Sequence, residues 1–82
     1  MKWMYITFRS VTYAQRARAA LEQEGLTSTM IRAPKWMAER GCSYALKLSP
    51  ETGERAEKLL DAAGRPYLQK YLVDREGKAV KL

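Results

Sequence analysis

The chain has 82 residues, with 15 lysines and arginines against 9 aspartates and glutamates, a formal charge of +6, and no histidine. Without histidine, neither a Ser-His-Asp or Cys-His nucleophile nor a Cys/His zinc site can be built within it. The apolar share of 46% excludes wholesale disorder, and no apolar run approaches the ~20 residues that cross a bilayer.

A chain of this length suits one domain over residues 1–82, with a core of about 3–73. No basic region followed by an apolar stretch reads as a secretory signal. Cys42, the one cysteine, cannot form an internal disulfide, so a reducing cytoplasm is the expected setting. The basic residues run from Lys2 to Lys81 rather than clustering, which describes a solvated cationic surface before it describes a polyanion site.

Lys2–Phe8 is rich in aromatic and β-branched residues and reads as a strand, with Met4, Ile6 and Phe8 facing the core. Ser10 can cap a helix over Val11–Glu24 whose buried face is Ala14, Ala17, Ala20 and Leu21, and Gly25 ends it. Leu26–Arg32 reads as a second strand, broken by Ala33-Pro34. Lys35–Gly41, with Trp36 and Met37 as its apolar residues, is a loop or a single helical turn, and Cys42 leads into a third strand, Tyr44–Leu48.

Ser49-Pro50-Glu51 starts a second helix that runs to Ala63, with Ala56, Leu59, Leu60 and Ala63 as its apolar stripe and Gly64 at its end. Gly53 inside it costs up to ~1 kcal/mol relative to alanine. Tyr67–Val73 is a fourth strand, 74–77 a turn, and 78–82 a polar tail or a short extra strand. The order β-α-β-loop-β-α-β predicts an α+β, ferredoxin-like split β-α-β sandwich: a four-stranded sheet with two helices on one face.

Cys42 is the chemically distinctive group. Gly41 leaves its approach open, and Arg32, Lys35, Arg40 and Lys47 outnumber Glu39 around it, a setting that favours the thiolate. A free cysteine is more often a small buried hydrophobe, and spacing alone favours that packing role. The carboxylates Glu51, Glu54, Glu57 and Asp61 read as the outer face of the second helix, with Glu54 and Lys58 spaced as an i, i+4 pair. No metal and no cofactor is expected from any of these residues.

Tyr5-Ile6-Thr7-Phe8, the alanine-rich helix after it, Ile31-Arg32-Ala33-Pro34, Gly41-Cys42-Ser43-Tyr44-Ala45-Leu46-Lys47-Leu48 and the helix of residues 54–63 together resemble the selenium/sulfur carrier protein-like family. Members commonly have glycine after the cysteine, whereas here Gly41 precedes it and Ser43 follows. The resemblance implies a thiol-based carrier or redox adaptor, rather than an enzyme, that holds a persulfide or perselenide on Cys42. Arg40, Lys35 and Arg32 would stabilise the anion, and a protein donor and acceptor of sulfur or selenium would be the partners. Two other readings stand beside it. One is a small interaction module, able to oligomerise through its sheet face, in which Cys42 is packing. The other, less favoured, is single-stranded nucleic-acid binding, for which charge and aromatic content speak but the Gly-aromatic motif of such sheets is missing.

Overall fold

The computed structural model describes residues 2–36, 44–64 and 67–82. Along the chain lie β1 (Trp3–Phe8), α1 (Val11–Gln23), β2 (Thr29–Arg32), β3 (Tyr44–Leu48), α2 (Pro50–Ala62), β4 (Gln69–Val73) and β5 (Ala79–Lys81). The sheet order is β2-β3-β1-β4-β5 and every neighbouring pair is antiparallel. This is the expected ferredoxin-like arrangement with a fifth strand on its edge. The tail forms that strand because Asp74 closes the preceding turn. Its Oδ1 accepts from the Glu76 and Lys78 amides, and its own amide donates to the Lys78 carbonyl.

Alternation along β1 sends Met4, Ile6 and Phe8 to the helices, where all three are buried. Leu46 and Leu48 of β3 join them, as do Ala14, Ala17 and Leu21 of α1 and Ala56 and Leu60 of α2. Ala20 is only half-buried, and Ala63 is exposed just past the end of α2. The small residues let both helices lie close to the sheet. Gly53 shows this most directly: a Cβ there would come well inside van der Waals contact of the Met4 Sδ. The helix-propensity cost at Gly53 is thus the condition for packing α2 on β1.

Both helices begin on a serine cap. The Ser10 Oγ accepts from the Tyr13 amide at 3.4 Å, and the Ser49 Oγ from the Thr52 amide at 3.2 Å. α1 ends in a paired cap: the Leu26 amide reaches the Leu21 carbonyl, and Gly25, at φ 76°, gives its amide to Glu22. Leu26 therefore buries its side chain in the core as the closing residue of a helix, not as the start of a strand, and β2 is confined to Thr29–Arg32. Tyr67 and Leu68 likewise precede β4, with the Leu68 amide donating to the Thr7 carbonyl at 2.8 Å. Thr7 is fully buried on the sheet face opposite the helices. Its hydroxyl is satisfied by Gln69, donating to the carbonyl and accepting from the amide.

Candidate functional site

The strand register collects one end of the sheet. Phe8 at the end of β1 and Arg32 at the end of β2 both pair with Tyr44 at the start of β3, and Thr7 pairs with Gln69 at the start of β4. The first turn of α1 follows directly from this end. In sequence Cys42 stands two residues before Tyr44. Cys42 and Arg40 lie outside the described residues. Arg32 and Lys35 lie within them; both are exposed, and neither forms an ion pair with any described carboxylate.

The chain leaving β2 turns over the sheet face that the helices leave uncovered. Ala33 packs, with Ile31 and Tyr5, against the buried cluster of Ala45, Tyr71 and Val73, and the Trp36 ring meets Tyr71 edge-on, with centroids 5.3 Å apart and planes at 86°. Because β3 and β1 lie between β2 and β4, this contact spans the sheet. Trp36 is thus anchored six residues before Cys42. On the same face the Lys47 ammonium sits 4.4 Å from the Trp3 ring centroid. The sequence marked Trp36 only as apolar; its partner lies 35 residues away on a strand that is not a chain neighbour.

On the helix side a small pocket of about 90 Å³ opens at the same end, lined by Arg9, Tyr13, Tyr67 and Leu68. The Arg9 guanidinium lies 5.7 Å from the Tyr13 ring centroid. Behind the pocket Glu57 of α2 is ion-paired to Lys70 of β4. The carboxylate that helical spacing put on a solvated face therefore reaches the sheet. Glu54 and Lys58 form no ion pair, and the helical pair that does form is Arg18–Glu22 at 3.0 Å. Burial raises the Tyr67 phenol above its ordinary value, with Asp61 and a hydrogen bond to Glu57 adding to it against the opposing pull of Lys70. The hydrogen bond to Glu57 raises Lys70 against a smaller desolvation effect.

Both groups hold their protons more tightly folded than unfolded, so their contribution is complete below about pH 10 and is lost as pH rises through the folded values. Stability should stay flat toward these groups at neutral pH and fall from about pH 10 upward. Glu57→Gln should cost about 1 kcal/mol at pH 7 and make the alkaline fall shallower. Urea unfolding at pH 7 and pH 10.5 checks this; an equally steep fall in the variant would remove the pair as its cause.

Among the described residues no group of three or more His, Cys, Asp or Glu is placed to hold a metal. No helix among them is long and apolar enough to cross a membrane. No curated protein and no solved structure matches the chain. One family does, over residues 3–72, and its description is "Putative Se/S carrier protein-like". With the match covering both helices and the first four strands nearly to the end of β4, the chain belongs to this selenium/sulfur carrier-like family.

Proposed function

We propose that the protein is a carrier of sulfur or selenium that holds the transferred atom on Cys42. The observation that carries this reading is family membership over nearly the whole chain, in a sequence whose only thiol is Cys42. In the transfer, the Cys42 thiolate attacks the outer chalcogen of a partner protein's persulfide or perselenide. A new bond forms to the Cys42 sulfur, the partner's S–S or S–Se bond breaks, and the partner leaves as its thiolate. No oxidant is consumed. Arg40, Lys35 and Arg32 are the cations assigned to the resulting anion, and a second protein removes the cargo. The chain supplies a nucleophile without a histidine to act beside it, which suits cargo-holding more than turnover.

Incubating the reduced protein with a cysteine persulfide donor should add the mass of one sulfur atom, or of one selenium atom from a perselenide. Dithiothreitol should remove it, and Cys42→Ser should gain nothing. A wild-type protein that keeps its mass under every donor would end the carrier reading in favour of the interaction module.

A further inference from the structure

Both outer edges of the sheet, β2 and β5, are unpaired among the described residues. β5 is three residues long and carries Lys81, the kind of short, lysine-bearing edge that discourages addition. β2 differs. Its Thr-Met-Ile-Arg run holds neither lysine nor proline, and a groove of about 420 Å³ lies beside it. Gln15, Arg18, Ala19 and Glu22 of α1 and Met30 of β2 line the groove. The four helix residues follow i, i+3, i+4, i+7 spacing, so they form one flank of α1, and all four are exposed. Residues 33–36 leave β2 across the opposite sheet face and do not line the groove. That opposite face is a poorer docking surface, because Ala45, Tyr71 and Val73 are already buried on it. An antiparallel edge strand turns alternate N–H and C=O groups outward, where an added strand can meet them.

The charges along this edge decide what is added. Arg32 pairs with Tyr44 at the Phe8 end of the sheet, which is the end where α1 begins. Glu22 and Glu24 stand at the other end of α1, from which the chain returns into β2 at Thr29. The edge is therefore basic at one end and acidic at the other. Arg32 is exposed and forms no ion pair with a described carboxylate. Glu24 is exposed, and Glu22 is bridged to Arg18 of its own helix at 3.0 Å, with both side chains about half exposed. Lys47, beside Thr29 in the register, lies on the opposite face against the Trp3 ring. A two-fold axis through the middle of the β2 edge sets a second β2 antiparallel to the first. Arg32 of each copy then comes to the acidic end of the other.

We propose that β2 and the adjoining flank of α1 form a self-complementary surface on which a second copy of this chain docks, joining two five-stranded sheets edge to edge. The inference does not rest on the carrier reading. α1 touches β1, β3 and β2 and so lies over β3, the middle strand of the three. With strands ~4.8 Å apart, the two β3 strands and the helices above them are about 14 Å apart in such a dimer. A helix with its side chains is about 10–12 Å across, so the gap is one that Gln15, Arg18 and Glu22 of each copy are long enough to close. Met30 of each copy supplies the floor, and the short Ala19 leaves room for the longer chains. A four-residue strand pair is a small contact, so the dimer is weak and depends on concentration.

The test is sedimentation equilibrium from about 10 µM to about 1 mM chain. Dithiothreitol is present throughout, so that no disulfide through Cys42 contributes. A monomer–dimer equilibrium is expected, without larger species, because a two-fold contact closes on itself. Arg18→Glu combined with Glu22→Arg keeps the ion pair within α1 but sets an arginine toward Arg32 of the second copy. This swap should weaken dimerisation about tenfold or more, and adding Arg32→Glu should bring it back to within about fivefold of the wild type. Circular dichroism melts confirm that each variant is folded. Amide shifts between dilute and concentrated protein should concentrate at residues 15–22 and 29–32. A chain that stays monomeric at the highest concentration, a charge swap without effect, a failed rescue by Arg32→Glu, or assembly beyond the dimer would each overturn the proposal. A dimer lost in Val80→Lys but indifferent to the swap would put the contact on β5 and overturn it as well.

Discussion

Replacing Phe8 with alanine should remove about 3–5 kcal/mol of stability. Phe8 is fully buried at the end of β1, pairs with Tyr44, and belongs to the cluster that both helices close over. An 82-residue chain has a total stability of only about 4–12 kcal/mol at ordinary values per residue, so this one truncation consumes much of it. The neighbours are backbone-fixed strands and alanine-lined helices, which cannot collapse into the space a phenyl ring leaves. Urea unfolding followed by tryptophan fluorescence measures the loss. Val80→Ala is the contrast: Val80 is 59% exposed on β5, and its truncation should change stability by less than about 0.5 kcal/mol. A loss under ~1 kcal/mol for Phe8→Ala would mean that this end of the core is not packed as described.

Elements whose evidence is local were legible in the sequence, and those settled by distant partners were not. β3 falls on Tyr44–Leu48 as its alternation indicates, and both helices end two residues before the glycine that stops them, since caps and periodicity are local signals. Leu26 and Tyr67 look like strand residues by type, yet one closes a helix cap and the other packs on the core before β4 begins. The turn at 74–77 leaves residues 78–82 as either a polar tail or an extra strand, and the choice of strand depends on a free edge on β4 that no local pattern decides. The same holds at the candidate site. Cys42 stands out by its chemistry alone, whereas the Arg9–Tyr13–Tyr67 pocket joins residues more than 50 positions apart. The Lys70–Glu57 pair depends on α2 crossing the sheet beside β4. Spacing along α2 shows which residues share a face, but not that Glu57 is near enough to the sheet to leave the solvated one.

The pH dependence of Cys42 alkylation separates the two uses of that residue by the largest margin. A thiol at the ordinary ~8.5 is about 3% ionised at pH 7; lowered by one unit it is about a quarter ionised, and raised by one unit by apolar burial it is about 0.3% ionised. The carrier and packing readings therefore differ by roughly 80-fold in thiolate at neutral pH. A lower thiol pKa also lowers intrinsic nucleophilicity, with a Brønsted slope of about 0.4–0.5, which trims the difference in rate to about tenfold. Steric exclusion in a packed site widens it again. Iodoacetamide labelling of the folded protein across pH 5–10 should give an apparent value below ~8.5, and the rate at pH 7 should fall as salt rises, because the cations assigned to the anion act through screened charge. Arg40→Ala and Lys35→Ala should each move the midpoint upward by a few tenths of a pH unit. In a packed role the same experiment gives slow labelling that accelerates only in denaturant, a midpoint above ~8.5, and a loss of stability of about 1 kcal/mol or more for Cys42→Ala. That second pattern would remove Cys42 from the transfer chemistry whatever the family's other members do.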